Sequence, residues 1–165
     1  MEDVTSKTWL EVALNGPWTQ EKQAGIPIKV ADIVQQGIDC VNAGAAIVHV
    51  HAYDEETGRQ KDDVDVYKKI IEGIRTKVDA VVYPTVPAPG MNPIEDGSSG
   101  EDRYAHIEAL AKDGFLEWTV LDPGSCNFSH YDQLKEDKVG YVYQNSEADA
   151  PVSYTHLTLP TTPYV

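Results

Sequence analysis

The 165-residue chain carries 13 basic against 27 acidic side chains, a net charge of −14 at pH 7, which would repel nucleic acid and anionic membrane surfaces alike. The length allows one domain with a sizeable core. No apolar run approaches the roughly 18 residues of a membrane span, and Met1-Glu2-Asp3-Val4-Thr5-Ser6-Lys7 lacks the basic-then-apolar order of a signal peptide, so a soluble, cytoplasmic protein acting on small molecules is expected.

In chain order, Trp9-Leu10-Glu11-Val12-Ala13-Leu14-Asn15 reads as a first strand, closed by Gly16-Pro17. After a loop to Pro27, Val30, Ile33, Val34, Ile38 and Val41 recur at helical steps, with Lys29, Asp32, Gln35, Gln36 and Asp39 mostly on the other face. Gly44 stands where a helix wants a left-handed stop. The apolar run Ala45-Ala46-Ile47-Val48-His49-Val50-His51-Ala52-Tyr53-Asp54 is a second strand, and Asp54-Glu55-Glu56-Thr57-Gly58 a polar turn. Asp62 and Asp63 open a second helix whose apolar face is Tyr67, Ile70, Ile71 and Ile74, with Arg75 and Lys77 at the end that suits its dipole. Ala80-Val81-Val82-Tyr83 is a third strand running into Pro84-Thr85-Val86-Pro87. A loop rich in Gly, Pro and Ser leads to a third helix that Ser98 or Ser99 can cap, with Ile107, Leu110 and Ala111 inward and Gly114 as stop. A fourth strand is expected at Glu117-Trp118-Thr119-Val120-Leu121, broken at Asp122-Pro123-Gly124.

Strands alternating with helices imply a parallel sheet in an α/β fold, and about 35 residues per repeat is the spacing of a (β/α)8 TIM barrel. Four strands are half of one. A flavodoxin-like open sheet is the alternative, although its phosphate-binding Gly-rich turn is missing after the first strand. Polar residues gather where each strand ends: Asn15, His49 and His51, Thr85, Asp122 and Asn127. In a β/α barrel that end is the catalytic rim.

His49 and His51 are the pair with most chemistry in them. Side chains alternate along a strand, so the two imidazoles share a face that Val48, Val50 and Ala52 do not. Neutral imidazole is a good ligand for zinc and neighbouring ions, and a rigid strand leaves the pair little entropy to lose on binding. Two hydrogen-bonded core histidines are the other reading, because a catalytic zinc takes three protein ligands. Cys40 and Cys126 are isolated, with no CxxC, so neither a disulfide framework nor a cysteine-based zinc site is expected.

The composition shifts near the C-terminus. Val152-Ser153-Tyr154-Thr155-His156-Leu157-Thr158-Leu159-Pro160-Thr161-Thr162 has no charged residue and no helical period, and it resembles the translated read-through of a sequencing adapter. Residues 152–165 are therefore expected to be a non-native tail, and residues 1–151 the N-terminal half of a longer barrel.

With the motifs placed, the chain resembles the β-keto acid cleavage enzymes, the family that includes 3-keto-5-aminohexanoate cleavage enzyme. The resemblance covers about residues 8–150. Its best motif is Gly44-Ala45-Ala46-Ile47-Val48-His49-Val50-His51, supported by Asn15-Gly16, Glu101-Asp102-Arg103 and Leu121-Asp122-Pro123-Gly124-Ser125-Cys126-Asn127-Phe128. It implies a β/α barrel with one divalent metal, usually zinc, and cleavage of a β-keto acid with acetyl-CoA to give acetoacetate and a new acyl-CoA. Carried over by position, His49 and His51 are metal ligands. Thr85 is a hydroxyl residue touching substrate, Asp122 and Asn127 lie at the catalytic rim of the fourth strand, and Asn15, Glu21 and Arg103 are substrate-binding candidates. The parent protein is expected to be a homo-oligomer.

Two departures matter. The family carboxylate just after the first strand is replaced by Trp18, so that role falls to Glu21 or is absent. The third metal ligand and the catalytic Asp and Arg of the family come from later strands, so this chain by itself is expected to be inactive. Two competing readings follow. One is an amidohydrolase-type metal hydrolase, whose His-x-His motif ends the first strand rather than the second. The other is a non-catalytic metal-binding fragment with exposed sheet edges that tends to self-associate.

Overall fold

The computed structural model describes residues 8–87, 100–120, 126–129, 131–136 and 140–143. The elements in order are β1 (Glu11–Ala13), α1 (Val30–Asn42), β2 (Ile47–Val50), β3 (Tyr53–Asp54), β4 (Arg59–Gln60), α2 (Val64–Arg75), β5 (Val81–Pro84), α3 (Gly100–Lys112), β6 (Cys126–Phe128), α4 (Tyr131–Lys135) and β7 (Tyr141–Tyr143). They fall into two compact units, residues 1–85 with 109–119, and residues 86–108 with 120–165.

The first unit is built on a parallel sheet in the order β1-β2-β5. Val12 pairs with Val48 and Val48 with Val82, while Ala13 pairs with His49 and His49 with Tyr83. Because side chains alternate, these two rows lie on opposite faces of the sheet. The Val48–Val82 row belongs to the fully buried core, together with Val50. α1 packs on β2, α2 on β5, and the two helices on each other, so one layer of helices covers a short parallel sheet.

The helices form where apolar periodicity, caps and stops agree. In α2, Asp63 accepts from the backbone N–H groups of Asp65 and Val66 at 3.0 and 3.2 Å, and Tyr67, Ile70, Ile71 and Ile74 form a stripe with no exposed surface. α1 is closed off by Gly44, two residues past its end, whose φ of 114° lies in the region that favours glycine, with Gly44 N–H bonded to Val41 O and Ala45 N–H to Cys40 O. Gly114, at φ 77°, does the same after α3.

The histidine segment divides into two. β2 ends at Val50, and Tyr53–Asp54 turns back to pair antiparallel with Arg59–Gln60. Asp54 closes the turn by accepting from the N–H groups of Glu56 and Thr57 at 3.1 and 2.8 Å, and these bonds hold its carboxyl below the ordinary value. Gly58 supplies the positive φ of 66° that the turn requires.

The expected fourth strand is a correction. Residues 117–120 form no strand, and Leu121 lies outside the described residues. Side chains, not ladder bonds, fix this segment: Arg75 donates to Phe115 O at 2.9 Å and pairs with Glu117 at 3.2 Å. Trp118 packs against Trp9, the ring centroids 6.1 Å apart, and both indoles are about half exposed or more. The β-propensity of Glu117–Val120 is therefore not expressed as a strand, and Glu117 and Trp118 make side-chain contacts with Arg75 and Trp9 instead.

In the second unit, Arg103, Tyr104, His106 and Ile107 of α3 are buried. β6 and β7 pair antiparallel, Asn127 opposite Val142, on either side of the short α4. The proposed helix caps Ser98 and Ser99, the site candidate Asp122 and the tail 152–165 lie outside the described residues. No helix among the described residues is long and apolar enough to cross a membrane.

Candidate functional site

The face of the sheet opposite α1 and α2 carries Glu11, Ala13, His49 and Tyr83, and by the same alternation Asn15, His51 and Thr85 follow at the carboxyl ends of the three strands. The ladder continues past the ends of β1 and β5: Leu14 N–H bonds His49 O at 3.2 Å, and Thr85 N–H bonds Val50 O at 3.0 Å. Thr85 is therefore seated beside the histidine segment, with only 7 % of its surface exposed.

His49 and His51 meet through their outer nitrogens, Nε2 to Nε2 at 3.3 Å, with ring planes 83° apart. His49 also lies against Tyr83, ring centroids 4.8 Å apart, and the Tyr83 hydroxyl donates to Glu11 across the intervening strand. Burial disfavours the charged imidazolium, so both histidines are pushed down to about 4 and are neutral at physiological pH. Neutral imidazole is the form that ligates a metal.

The separation of the two nitrogens matches that of two ligands on one ion. Two nitrogens bound to one tetrahedral ion at about 2.0–2.1 Å are roughly 3.3–3.4 Å apart, and the two Nε2 atoms stand at that separation without any rearrangement. The fit extends to two positions. Among the described residues there is no group of three His, Cys, Asp or Glu that could hold an ion.

Around the pair, two side chains, Asn15 and Gln60, bind His51 and its backbone. Asn15 accepts from His51 N–H at 2.8 Å and donates to His51 O and Pro27 O at 3.1 Å each. Gln60 Oε1 lies 2.8 Å from His51 Nδ1, and Gln60 Nε2 donates to Asp62, which also accepts from the Tyr67 hydroxyl at 2.9 Å. Tyr53, pushed up to about 12 by burial, donates to the carbonyl of Gly16 and so ties the loop after β1 to the hairpin.

The structure thus brings together Asn15, His49, His51 and Thr85. Glu21 lies on an exposed turn, in which Lys22 N–H bonds Thr19 O at 3.0 Å and Lys22 stands over the exposed ring of Trp18. Arg103 belongs to the second unit, where it is 2 % exposed and donates through Nε to Pro87 O at 3.0 Å. Asn127 is the middle residue of β6, and Asp122 is outside the described residues. Sequence reading missed Gln60 as a partner of His51, and Asp62 and Tyr67 as the residues behind Gln60. The signal was present in the Asp-x-x-Thr-Gly turn of residues 54–58, which makes a hairpin and returns the chain to His51.

A family model for beta-keto acid cleavage enzymes matches residues 7–158, a stretch that runs past Val152. The chain is 29% identical over 125 residues to 3-dehydrocarnitine:acetyl-CoA trimethylamine transferase of Rhizobium meliloti (strain 1021), covering 67% of this chain and 40% of that protein. It is 32% identical over 112 residues to 3-keto-5-aminohexanoate cleavage enzyme of Fusobacterium nucleatum, covering 67% of this chain and 36% of that enzyme. The enzyme of the same name from Acetoanaerobium sticklandii is 29% identical over 114 residues, with 36% of its length covered. The chain therefore spans well under half the length of these curated relatives.

Proposed function

The chain belongs to the beta-keto acid cleavage enzyme family, and from that membership we propose that it is the N-terminal half-barrel of an enzyme that cleaves a β-keto acid with acetyl-CoA, giving acetoacetate and an acyl-CoA. The observation that carries this reading is the pair of neutral imidazoles, Nε2 atoms 3.3 Å apart, at the carboxyl end of a parallel strand. In a β/α barrel, chemistry is done at that end.

His49 and His51 are the proposed ligands of a divalent ion, zinc being the expected one. Such an ion, when bound, supplies Lewis-acid polarisation of the keto carbonyl. Thr85, buried at the end of β5, offers its hydroxyl to a carboxylate or enolate oxygen of the substrate. Asn15 holds the backbone of His51, so its part is to fix where that ring stands. Arg103, Asp122 and Asn127 are proposed for substrate binding and catalysis, and Glu21 for the carboxylate role after β1. The third ligand and the catalytic base come from the remaining length that the relatives have, so the 165-residue chain alone is proposed to be inactive.

The test is the complete reading frame, assayed for acetyl-CoA-dependent formation of acetoacetate from a panel of β-keto acids, with and without chelator. Turnover that needs both acetyl-CoA and the metal is expected. A metal-loaded enzyme that hydrolyses amides or esters and never consumes acetyl-CoA would falsify the reading in favour of an amidohydrolase-type activity.

A further inference from the structure

Resting on the reading of His49 and His51 as metal ligands, we propose that Gln60 is a positioning residue: locked by Asp62, its amide oxygen holds His51 as the Nδ1–H tautomer and leaves the Nε2 lone pair turned toward His49.

The two ends of a glutamine amide have the same shape, and only their partners tell which is which. A carboxylate accepts and does not donate. Gln60 Nε2 lies 3.1 and 3.3 Å from the two oxygens of Asp62, so the amino end of the amide faces Asp62. Asp62 is itself fixed by the Tyr67 hydroxyl at 2.9 Å. Tyr67 is wholly buried, and that burial pushes its phenol well above the ordinary value, so it serves as a donor at any physiological pH.

With the amino end committed, the amide oxygen faces His51, 2.8 Å from Nδ1. An oxygen acceptor there requires a proton on Nδ1. A neutral imidazole carries one N–H, so Nε2 of His51 holds the lone pair, and that atom is the one 3.3 Å from His49 Nε2. The bonds thus run in one direction, Tyr67 and Gln60 donating to Asp62, and His51 donating to Gln60. His49 has no such brace: its Nδ1 is buried without a hydrogen-bond partner. In the metal-free chain His49 Nε2–H can therefore donate into the fixed lone pair of His51. His49 is the ring that has to change tautomer when an ion arrives. The short hairpin β3–β4 acquires a purpose, since it is what carries Gln60 back to the end of β2.

The experiment uses the full 165-residue chain labelled with 15N-histidine, read by two-bond proton–nitrogen correlation near neutral pH before and during titration with Zn2+. His51 is expected to show a protonated Nδ1 and an unprotonated Nε2 before zinc is added. In Gln60→Leu the ring should move toward the Nε2–H form that free imidazole prefers, and zinc affinity should fall on the order of 10–100-fold. Gln60→Met, closer in shape, should do the same if the leucine variant folds poorly. The double variant Gln60→Glu with Asp62→Asn keeps an acceptor at His51 and a donor behind it, so it should restore the tautomer. Finding Nε2–H on His51 in the unaltered chain would overturn the proposal without any variant. So would an unchanged tautomer and zinc affinity in Gln60→Leu. A fixed Nδ1–H tautomer that relaxes in Gln60→Leu, in a chain that takes up no zinc, upholds the role of Gln60, and zinc binding by the complete enzyme then decides the metal reading.

Discussion

The side chain of Asn15 brackets the backbone of His51, accepting from its N–H at 2.8 Å and donating to its carbonyl at 3.1 Å. The ends of β1 and β2 are joined here by a side chain, just past the last ladder bond from Leu14 N–H to His51's neighbour His49. Asn15 also donates to Pro27 O, so one amide fixes three backbone groups. Asn15→Ala leaves these partly buried groups unpaired and should cost about 1–3 kcal/mol of stability, seen as a lower urea midpoint at unchanged slope. Asn15→Asp keeps the bond to His51 N–H and sets a carboxylate against two carbonyls, so it should be no more stable than Asn15→Ala. A neutral effect of both changes would remove Asn15 from its positioning role.

His49→Ala and His51→Ala should each reduce zinc affinity by more than the roughly 10–100-fold typical of losing an outer partner, because each removes one of the two available nitrogens. Titration of the complete enzyme with Zn2+ measures this, and equal zinc affinity in the two variants and the parent would sink the metal assignment. Thr85→Val keeps the shape and deletes the hydroxyl. In the complete enzyme it should spare metal binding and lower turnover, the split expected of a donor to substrate.

Both imidazoles are pushed down to about 4 by burial, against about 6.5 in an unfolded chain. Between those values the unfolded state binds more protons than the folded one, so stability rises with pH across this window. It is present in full above about pH 6.5 and is lost as the pH falls toward 4. The expected outcome is a urea midpoint that is level above neutrality and declines through the acid range, with ring-proton titrations of His49 and His51 centred well below those of a free histidine. Midpoints near 6.5 for both rings would show that they are solvated, contrary to the burial described above.

The sequence made the repeating parts legible and the coupling between them less so. Tyr67, Ile70, Ile71 and Ile74 announce a helix by their spacing, and each is fully buried. Gly44 and Gly114 mark helix ends because each adopts a positive φ that favours glycine. Residues 117–120 read as a strand because their composition suits one, yet Glu117 and Trp118 are drawn to Arg75 and Trp9, partners more than forty residues away or across the unit. Such contacts have no local signature. The imidazole pair was legible from alternation alone. The hairpin that returns the chain to His51 was marked by the turn at residues 54–58, but which of its polar residues, Gln60 or Asp62, meets the ring was not, since both look like the polar residues of any turn before a helix.

The α1–α2 contact offers a sharper test of the packing that supports the site. A Cβ built on Gly37 would lie 2.6 Å from Ile74 Cδ1 and 3.0 Å from its Cγ1, and one built on Gly73 would lie 2.8 Å from Val34 Cγ2. Each helix therefore places a branched side chain in the notch of a glycine on the other. Gly→Ala raises intrinsic helix propensity by about 1 kcal/mol. At these two positions overpacking, typically about 1–3 kcal/mol, opposes that gain. Ile74 has no exposed surface and so has no open side to move into, and Gly37→Ala should be net destabilising. Adding Ile74→Val removes the Cδ1 atom that the new methyl meets, so the double variant should recover part of the loss beyond what Ile74→Val alone costs, typically about 0.5–1.5 kcal/mol. A double-mutant cycle on urea midpoints gives the coupling. Strict additivity of Gly37→Ala and Ile74→Val would mean that the helices do not interlock here.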